Sequence, residues 1–481
     1  MKTSLVVAAV VAVVLILAGS LYVALPALLG TTASTTPGGA SASVSVSASA
    51  SGTVRSSSSS ASSVSSTSEE DWTTYHADNA RTGYVQVANF TAVKQGWTSP
   101  ALDGIVFTEP LVYQGDVFVA TENNSVYALN SGTGAVVWRT NLGPPVQAGT
   151  LPCGNIGPVT GITGTPVIDP STGTIYVVAY TGGHHMLDAL KTSTGAVVFE
   201  RSASPPGFND TTQQQRTALT LANGMVYFEY GGLAGDCNLY HGWVVGIPAS
   251  GTGAMASYEV PTQNEGGIWA PSGASVDSAG DVYVASGNGA STSTYDHGDS
   301  VIKLSPSLTE LQYFAPTNWA RLNQDDTDIS SLGPAFVGPD TIFQIGKEGV
   351  GYLLNSSQLG GIGGQEFSAQ VCNESFGGSA FAAPYIYVPC IEGLYILKLN
   401  PGNFTTKVEI SGFNSASPIV TGGVVWTIDT NTATLYGLSA TTGHQVYAFN
   451  LGSVEHFTTP SAGDGQLFVS AANQVESFVL G

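Results

Sequence analysis

Short apolar runs separated by turn residues recur along the chain from residue 71 to residue 481. One clear copy occupies residues 110–120, 125–129 and 133–138, where Val, Tyr and Phe segments alternate with Gly, Asn and Asp. Segments of this length and composition predict β-strands. Four such strands per repeat are typical of an antiparallel propeller blade.

Eight of these units occur in succession, near residues 110–138, 165–199, 217–258, 272–314, 333–368, 378–410, 416–449 and 458–480. The last unit lacks an outer strand of its own, and an unassigned strand at residues 92–97 stands before the first unit. If these two strands pair, the ring closes and no sheet edge is left open. The pattern predicts an all-β fold, an eight-bladed β-propeller over residues 71–481 that is closed by the two ends of the chain.

The first 70 residues follow a different pattern. Residues 4–29 are apolar or small throughout, long enough as a helix to cross a bilayer core of about 30 Å. Residues 1–30 therefore predict a transmembrane anchor, with a cleavable signal peptide as the alternative. Residues 31–70 are more than half Ser and Thr, which predicts a disordered stalk. Lys2 favours a cytoplasmic N-terminus, so we expect a single-pass cell-membrane protein with its propeller outside the cytoplasm.

The charge of the chain restricts its partners. Lys and Arg number 13 against 34 Asp and Glu, a formal net charge of −21. Nucleic acid is excluded as a partner, because binding phosphates requires clustered basic side chains. Sparse, mostly acidic ionisable groups also suit an acidic exterior medium. Asn-x-Ser/Thr sequons predict a glycoprotein, at Asn89, Asn123, Asn209, Asn355, Asn373 and Asn403.

The cysteine spacing points to disulfides rather than to a metal. The chain has Cys153, Cys237, Cys372 and Cys390, and no pair has Cys-x-x-Cys spacing. An even count in an exterior protein predicts two disulfides with three possible connectivities. We favour Cys372–Cys390, closing a local hairpin, and Cys153–Cys237, joining neighbouring repeats.

The repeats, with their Val-Tyr-Val, Val-Tyr-Ala-Leu and Thr-Gly-x-x-x-Trp signatures, resemble the pyrroloquinoline-quinone (PQQ) repeat propellers. Residues 71–84, Asp-Trp-Thr-Thr-Tyr-His-Ala-Asp-Asn-Ala-Arg-Thr-Gly-Tyr, are similar to the segment that precedes the first blade in that family. The resemblance covers about 410 residues. It implies one of two functions, a quinoprotein dehydrogenase holding PQQ and calcium or a non-catalytic binding protein like the outer-membrane assembly lipoprotein.

The resemblance also implies candidate site residues. Residues 266–269 and 281–289 are similar to the dehydrogenase segment that carries a Trp beneath the quinone and an Asn calcium ligand. By that analogy Trp269 would stack on PQQ and Asn288 would bind calcium. By the same resemblance, one of Asp325, Asp326 and Asp328 would be the catalytic base. Lys347 and Arg321 would bind the carboxylates of the quinone.

Two departures from the dehydrogenase pattern favour the binding role. No two cysteines are adjacent, whereas the dehydrogenases commonly carry a bridged adjacent pair above the quinone, and no Glu ligand can be assigned. Trp269 can equally serve in packing, and Asn288 in a turn. The sequence therefore favours a monomeric binding or scaffolding module for exterior protein or glycan partners. Residues 236–243 either line the mouth or form a loop that a disulfide and aromatic side chains hold in place. A PQQ- and calcium-dependent alcohol or sugar dehydrogenase is the alternative.

Overall fold

The computed structural model describes residues 71–87 and 89–481, and they form the predicted eight-bladed β-propeller. The predicted anchor at residues 1–30 and stalk at residues 31–70 lie outside the described residues. Within the described part of the chain, no helix combines the length and apolar character needed to cross a membrane.

Each blade has a core of four antiparallel strands, which follow one another in sequence in blades 1 to 7. Blades 1 to 4 consist of Leu111–Tyr113, Asp116–Ala120, Ser125–Asn130 and Val136–Asn141; Val167–Asp169, Thr174–Thr181, His184–Lys191 and Val197–Ser202; Thr220–Ala222, Met225–Gly232, Trp243–Pro248 and Ala256–Glu259; Ser275–Val276, Val282–Ser286, Ser300–Leu304 and Glu310–Ala315. Blades 5 to 8 consist of Ala335–Phe336, Thr341–Gln344, Val350–Asn355 and Phe367–Gln370; Ala380–Ala382, Tyr385–Cys390, Gly393–Asn400 and Asn403–Ser411; Ile419–Thr421, Val424–Asp429, Thr434–Ser439 and Gln445–Asn450; Ser461–Gly463, Gln466–Ala471, Gln474–Leu480 and Val93–Thr98. The remaining elements are short: strands Tyr84–Val85, Val146–Gln147, Val159–Thr160, Gln213–Gln214 and Gly361–Ile362, helix Trp319–Asp325, and 3-10 turns Ala148–Thr150 and Ile329–Ser331.

The ends of the chain close the ring, as the unpaired strand in the sequence predicted. Val93–Thr98 forms the outer strand of blade 8 and pairs antiparallel with Gln474–Leu480, with Val93 opposite Leu480. The backbone N–H of Trp97 also donates to Ser477 Oγ at 2.9 Å. Blade 8 therefore has all four of its strands, and the ring is closed.

Residues 72–85 run along the inner strands of the ring at its axis, and we call this segment the axial plug. Trp72 pairs with Val112 of blade 1, and the Thr73 carbonyl accepts the N–H of Ile168 of blade 2 at 2.8 Å. The carbonyls of residues 79, 80, 82 and 83 accept N–H groups from the inner strands of blades 4, 5, 6 and 7 in turn. One short segment thus binds nearly every blade at the axis.

Both favoured disulfides are present. Cys153 bonds Cys237 and Cys372 bonds Cys390, with Cα–Cα separations of 6.2 and 6.4 Å. The expected hairpin closure by Cys372–Cys390 is wrong, because Cys372 follows the outer strand of blade 5 whereas Cys390 ends the second strand of blade 6. Each disulfide therefore joins different blades.

The order of the strands determines which loops can meet. In a blade of four sequential antiparallel strands, the second-to-third loop and the connection to the next blade leave on the same face. We call this face the mouth face. Both disulfides and all the candidate site residues belong to loops of these two kinds.

Candidate functional site

A cavity of about 460 Å³ opens on the mouth face. Loops from blades 3, 4 and 5 and from the connections between blades supply its walls. The lining residues are Arg216, Ala234, Gly235, Asp236, Tyr240, Glu265, Trp269, Asn288, Asn323, Asp326, Asp328, Ser331, Lys347, Phe376 and Phe457.

Trp269 is packed tightly against backbone and is only 9% exposed. A Cβ atom on Gly231 or Gly267 would come within 2.8 or 2.7 Å of the indole ring, so only glycine leaves room for it at these positions. The guanidinium carbon of Arg216 lies 5.0 Å from the centre of the Trp269 ring and 5.1 Å from that of Phe457. Arg216 is therefore held between two aromatic rings.

Arg216 keeps its charge in this position. Burial lowers its pKa to about 10, and the nearby carboxylates of Asp328 and Asp236 act in the opposite direction. Its Nε donates to the carbonyl oxygen of Trp269 at 2.8 Å. Sequence reasoning missed Arg216, because nothing in the residues before the inner strand of blade 3 marks a lone arginine as part of the mouth.

Four of the predicted residues form one network. The Lys347 ammonium pairs with Asp328 and lies 3.2 Å from Asp326 Oδ1. The Asn288 backbone N–H donates to Asp328 Oδ1 at 3.0 Å, and its Nδ2 donates to Asp326 Oδ1 at 2.7 Å. Burial alone would lower the pKa of Lys347, but Asp328 and Asp326 outweigh it and raise the pKa, so the ammonium stays charged.

Two further carboxyl groups, Asp236 and Glu265, line the same cavity. The Tyr240 hydroxyl donates to Asp236 Oδ1 at 2.7 Å. Burial raises the pKa of both carboxyl groups, and the surrounding carboxylates raise it further: Asp328 acts on both, and Asp236 also acts on Glu265. Four carboxyl groups therefore share the cavity with two basic side chains, Arg216 and Lys347.

The structure brings together five of the seven predicted site residues: Trp269, Asn288, Asp326, Asp328 and Lys347. Asp325 and Arg321 lie outside the cavity, on the helix Trp319–Asp325, and Arg321 pairs with Glu348 instead. The loop at residues 236–243 supplies Asp236 and Tyr240 to the cavity. Glu265, Phe376 and Phe457 were missed together with Arg216, because they come from connections whose convergence depends on the ring.

The side chains as placed do not fit calcium and PQQ. The Lys347 ammonium already pairs with the two aspartates that would accompany Asn288 around a cation, and Arg216 covers the ring of Trp269. Calcium needs six to eight oxygen ligands. Across the described ranges, no three His, Cys, Asp or Glu side chains converge as a metal site.

Comparison with family models identifies a family for this chain. Residues 40–301, more than half of the chain, match the family model described as outer membrane protein assembly factor BamB, a PQQ-repeat model. A search of curated protein sequences gives no match.

Solved structures with the same fold include dehydrogenases and BamB. The quinohemoprotein alcohol dehydrogenase ADHIIG from Pseudomonas putida HK5 is 14% identical with a TM-score of 0.67, covering 86% of this chain and 80% of its own. A europium-containing methanol dehydrogenase is 14% identical with a TM-score of 0.66, covering 85% and 98%. BamB from Moraxella catarrhalis is 13% identical with a TM-score of 0.57, covering 81% and 100%. At these identities the likeness shows the fold alone.

Proposed function

This chain belongs to the PQQ-repeat propeller family described as outer membrane protein assembly factor BamB, and from that premise we propose that it is an exterior, membrane-anchored binding and scaffolding module. Its mouth face binds a protein or glycan partner. The propeller supplies a rigid ring, and the loops of the mouth face supply the contacts.

The observation that carries this proposal is the pairing inside the cavity. Lys347 pairs with Asp326 and Asp328, so the carboxylates that a calcium ion would need are already engaged. The cavity nevertheless remains open, acidic and lined by aromatic rings. Such a pocket supports recognition of a polar group on a partner better than redox chemistry on a bound quinone.

Site-directed photo-crosslinking tests the proposal. Leu239, in the mouth loop between the second and third strands of blade 3, is 69% exposed, whereas Val446, on the outer strand of blade 7, is 53% exposed. A photoreactive amino acid is placed at one position or the other in the full chain, in the cells that produce it. We expect one defined product from position 239 that position 446 does not give. Identical products from both positions, or none from 239, would contradict a partner at the mouth.

The convergence of five dehydrogenase-like residues on one cavity favours the alternative, a PQQ- and calcium-dependent alcohol or sugar dehydrogenase. Titration of the full chain with PQQ and calcium decides between the two functions. We expect neither saturable binding nor dye reduction with alcohols or sugars. Calcium-dependent PQQ binding accompanied by dye reduction would replace the binding module with the enzyme.

The exterior location is part of the proposal and has its own test. Residues 1–30 would hold the protein in the membrane and residues 31–70 would link it to the propeller. Protease added to intact cells is expected to cut within residues 31–70 and release the propeller. Protection of the chain until the cells are lysed would place the propeller on the cytoplasmic side.

A further inference from the structure

We propose that the Cys153–Cys237 disulfide is a redox-sensitive latch that holds a strap at one side of the mouth cavity. The strap is residues 146–160, which belong to the connection between blades 1 and 2. When a dithiol reduces the bond, the strap opens and the cavity widens. This inference rests on the proposed function, because it names a regulation of the same binding site.

Apart from the disulfide, few contacts hold the strap to the ring. Its two short strands, Val146–Gln147 and Val159–Thr160, pair with each other. Within the described residues, the backbone and hydroxyl groups of the strap hydrogen-bond only with other groups of the strap. Among its residues only Ile156 and Thr160 are buried. A segment with so few buried apolar contacts opens at a low cost in free energy.

The disulfide ties the tip of this strap to a different blade. Cys153 lies in the strap, whereas Cys237 lies in the loop between the second and third strands of blade 3. The same loop supplies Asp236 and Tyr240 to the mouth cavity. Because the strap leads from blade 1 to blade 2, its tip is bonded one blade beyond its own end. The bond therefore fixes the strap and a wall of the cavity to each other.

The two disulfides of the chain differ in their access to solvent. Cys153 and Cys237 are partly exposed, and the residues on either side of them in sequence are exposed. Cys372 and Cys390 are only 6% and 1% exposed. A reducing thiolate must reach a sulfur atom, so exposed disulfides are the labile and regulatory ones. A dithiol should therefore reduce the latch and leave the second disulfide intact.

Reduction of the latch proceeds by thiol–disulfide exchange. A thiolate of the dithiol attacks one sulfur of the latch, which forms a mixed disulfide and releases the first cysteine as a thiolate. The second thiol of the dithiol, as its thiolate, then attacks the mixed disulfide and releases the second cysteine. The dithiol loses two electrons and becomes a disulfide, and its two protons end on Cys153 and Cys237.

Ile156 connects the strap to the cavity. Its side chain is 6% exposed and lines a small pocket together with Phe107 and with Tyr75 of the axial plug. Arg216 and Phe457 line both this pocket and the mouth cavity. When the strap opens, Ile156 leaves the wall between them. The mouth cavity then extends towards the axial plug.

Graded reduction of the full chain by dithiothreitol, without denaturant, tests the latch. Free thiols are trapped with iodoacetamide and assigned by mass spectrometry. We expect Cys153 and Cys237 to be alkylated at least about tenfold faster than Cys372 and Cys390. Amide hydrogen exchange in residues 146–160 should then become severalfold faster, and oxidised glutathione should reverse both changes. Equal alkylation of the two pairs, or a reduced latch with unchanged exchange in the strap, would overturn the proposal.

Two double variants separate the latch from a general effect of the reductant. Cys153→Ser with Cys237→Ser should show the fast exchange of the strap without dithiothreitol. Cys372→Ser with Cys390→Ser is the matched control and should keep the slow exchange until dithiothreitol is added. Thermal unfolding shows whether each variant is folded. If one is not, alkylation and exchange of the unaltered chain decide alone.

The crosslink at position 239 distinguishes failure of the latch from failure of the proposed function. We expect its yield to rise severalfold when Cys153 and Cys237 are both replaced by serine, because the open strap makes the cavity more accessible. An unchanged yield would keep the binding module and reject the latch as its regulator. Absence of any specific crosslink in either form would reject the module itself, whereas alkylation and exchange would still decide whether the latch opens.

Discussion

Two arginines, Arg81 buried at the axis and Arg216 partly buried at the mouth, are held in different ways. Arg81 in the axial plug is 1% exposed, and it donates to the Ala274 carbonyl, the Tyr75 carbonyl and the Thr74 and Thr220 hydroxyls. Arg216 donates a hydrogen bond to the Trp269 carbonyl and packs against two aromatic rings. The axis therefore holds its arginine by hydrogen bonds to protein groups, whereas the mouth holds its arginine mainly by packing against rings.

The comparison teaches where stability and recognition are located in this propeller. At the axis, one segment supplies carbonyls to the inner strands of successive blades, so its loss would unpair buried backbone in several blades together. At the mouth, the loops bring four carboxyl groups and two basic side chains together around an open cavity. Stability is therefore concentrated at the axis, and recognition is left to the loops.

The largest expected effect comes from breaking the axial arginine. Arg81→Met removes four hydrogen bonds and leaves the buried Glu229 without its neighbouring charge. We expect a loss of about 3–5 kcal/mol in the free energy of unfolding, measured by chemical denaturation. Arg216→Met is the matched control and should cost about 1 kcal/mol or less. Equal losses would mean that the two arginines play the same role.

The disulfides give the next largest effect. Replacing Cys153 and Cys237 by serine should cost about 2–4 kcal/mol of unfolding free energy and should loosen the mouth loops. The pair joins residues 84 apart, against 18 for Cys372 and Cys390, so the second double variant should lose about 1 kcal/mol less. Denaturation curves of both double variants measure this difference in unfolding free energy. Limited proteolysis between residues 234 and 243 should increase only in the first; unchanged cleavage would show that the loop holds its shape without the bond.

Stability should increase as the solution becomes mildly acidic. Burial raises the pKa of Glu229 and Glu122 to about 7, so the folded chain holds protons that the unfolded chain releases near pH 4.5. The contribution of these two groups to the unfolding free energy therefore falls as pH rises from about 4.5 to 7 and then levels, and together they outweigh the opposite contribution of the buried His76, whose pKa burial lowers to about 3. We expect the melting temperature to drop by several degrees over that range. Glu229→Gln should flatten the curve and the exposed Glu374→Gln should not; a steep loss of stability from neutrality down to pH 4.5 would reverse the predicted sign.

The smallest expected effect tests the pairing in the mouth. Because Lys347 neutralises Asp326 and Asp328, millimolar calcium should move the melting temperature of the full chain by less than about 1 °C. Lys347→Ala frees both carboxylates, and calcium should then stabilise the variant by a few degrees. Lys398→Ala, at an exposed position in blade 6, serves as the control. A large calcium shift in the unaltered protein would show that the ion displaces Lys347.

The blades could be predicted because the strands of each blade lie close together in the sequence. The eight apolar and turn patterns match the eight sheets to within a few residues, and the unpaired strand at 92–97 indicated how the ring closes. The disulfide pairing was also predicted correctly. The position of Cys372 was not, because its place between two blades depends on where one blade ends and the next begins.

The candidate site was predictable only in part. Trp269, Asn288, Asp326, Asp328 and Lys347 could be named from a resemblance, and they do lie together. The sequence did not predict the ion pairs among them, in which Lys347 pairs with both aspartates. The local spacing of residues does not distinguish a carboxylate that is available to a metal ion from one that is already paired with a lysine.

The alternation of strands and turns by itself determined the all-β ring, because hydrophobic periodicity and turn residues act over a few positions of the chain. The tertiary structure decided which loops share the mouth, that Arg216 of one connection covers Trp269 of the next, and that Asp236 and Glu265 line the same cavity as Asp326 and Asp328. These contacts join residues far apart in sequence, and only closing the ring brings them within reach of each other.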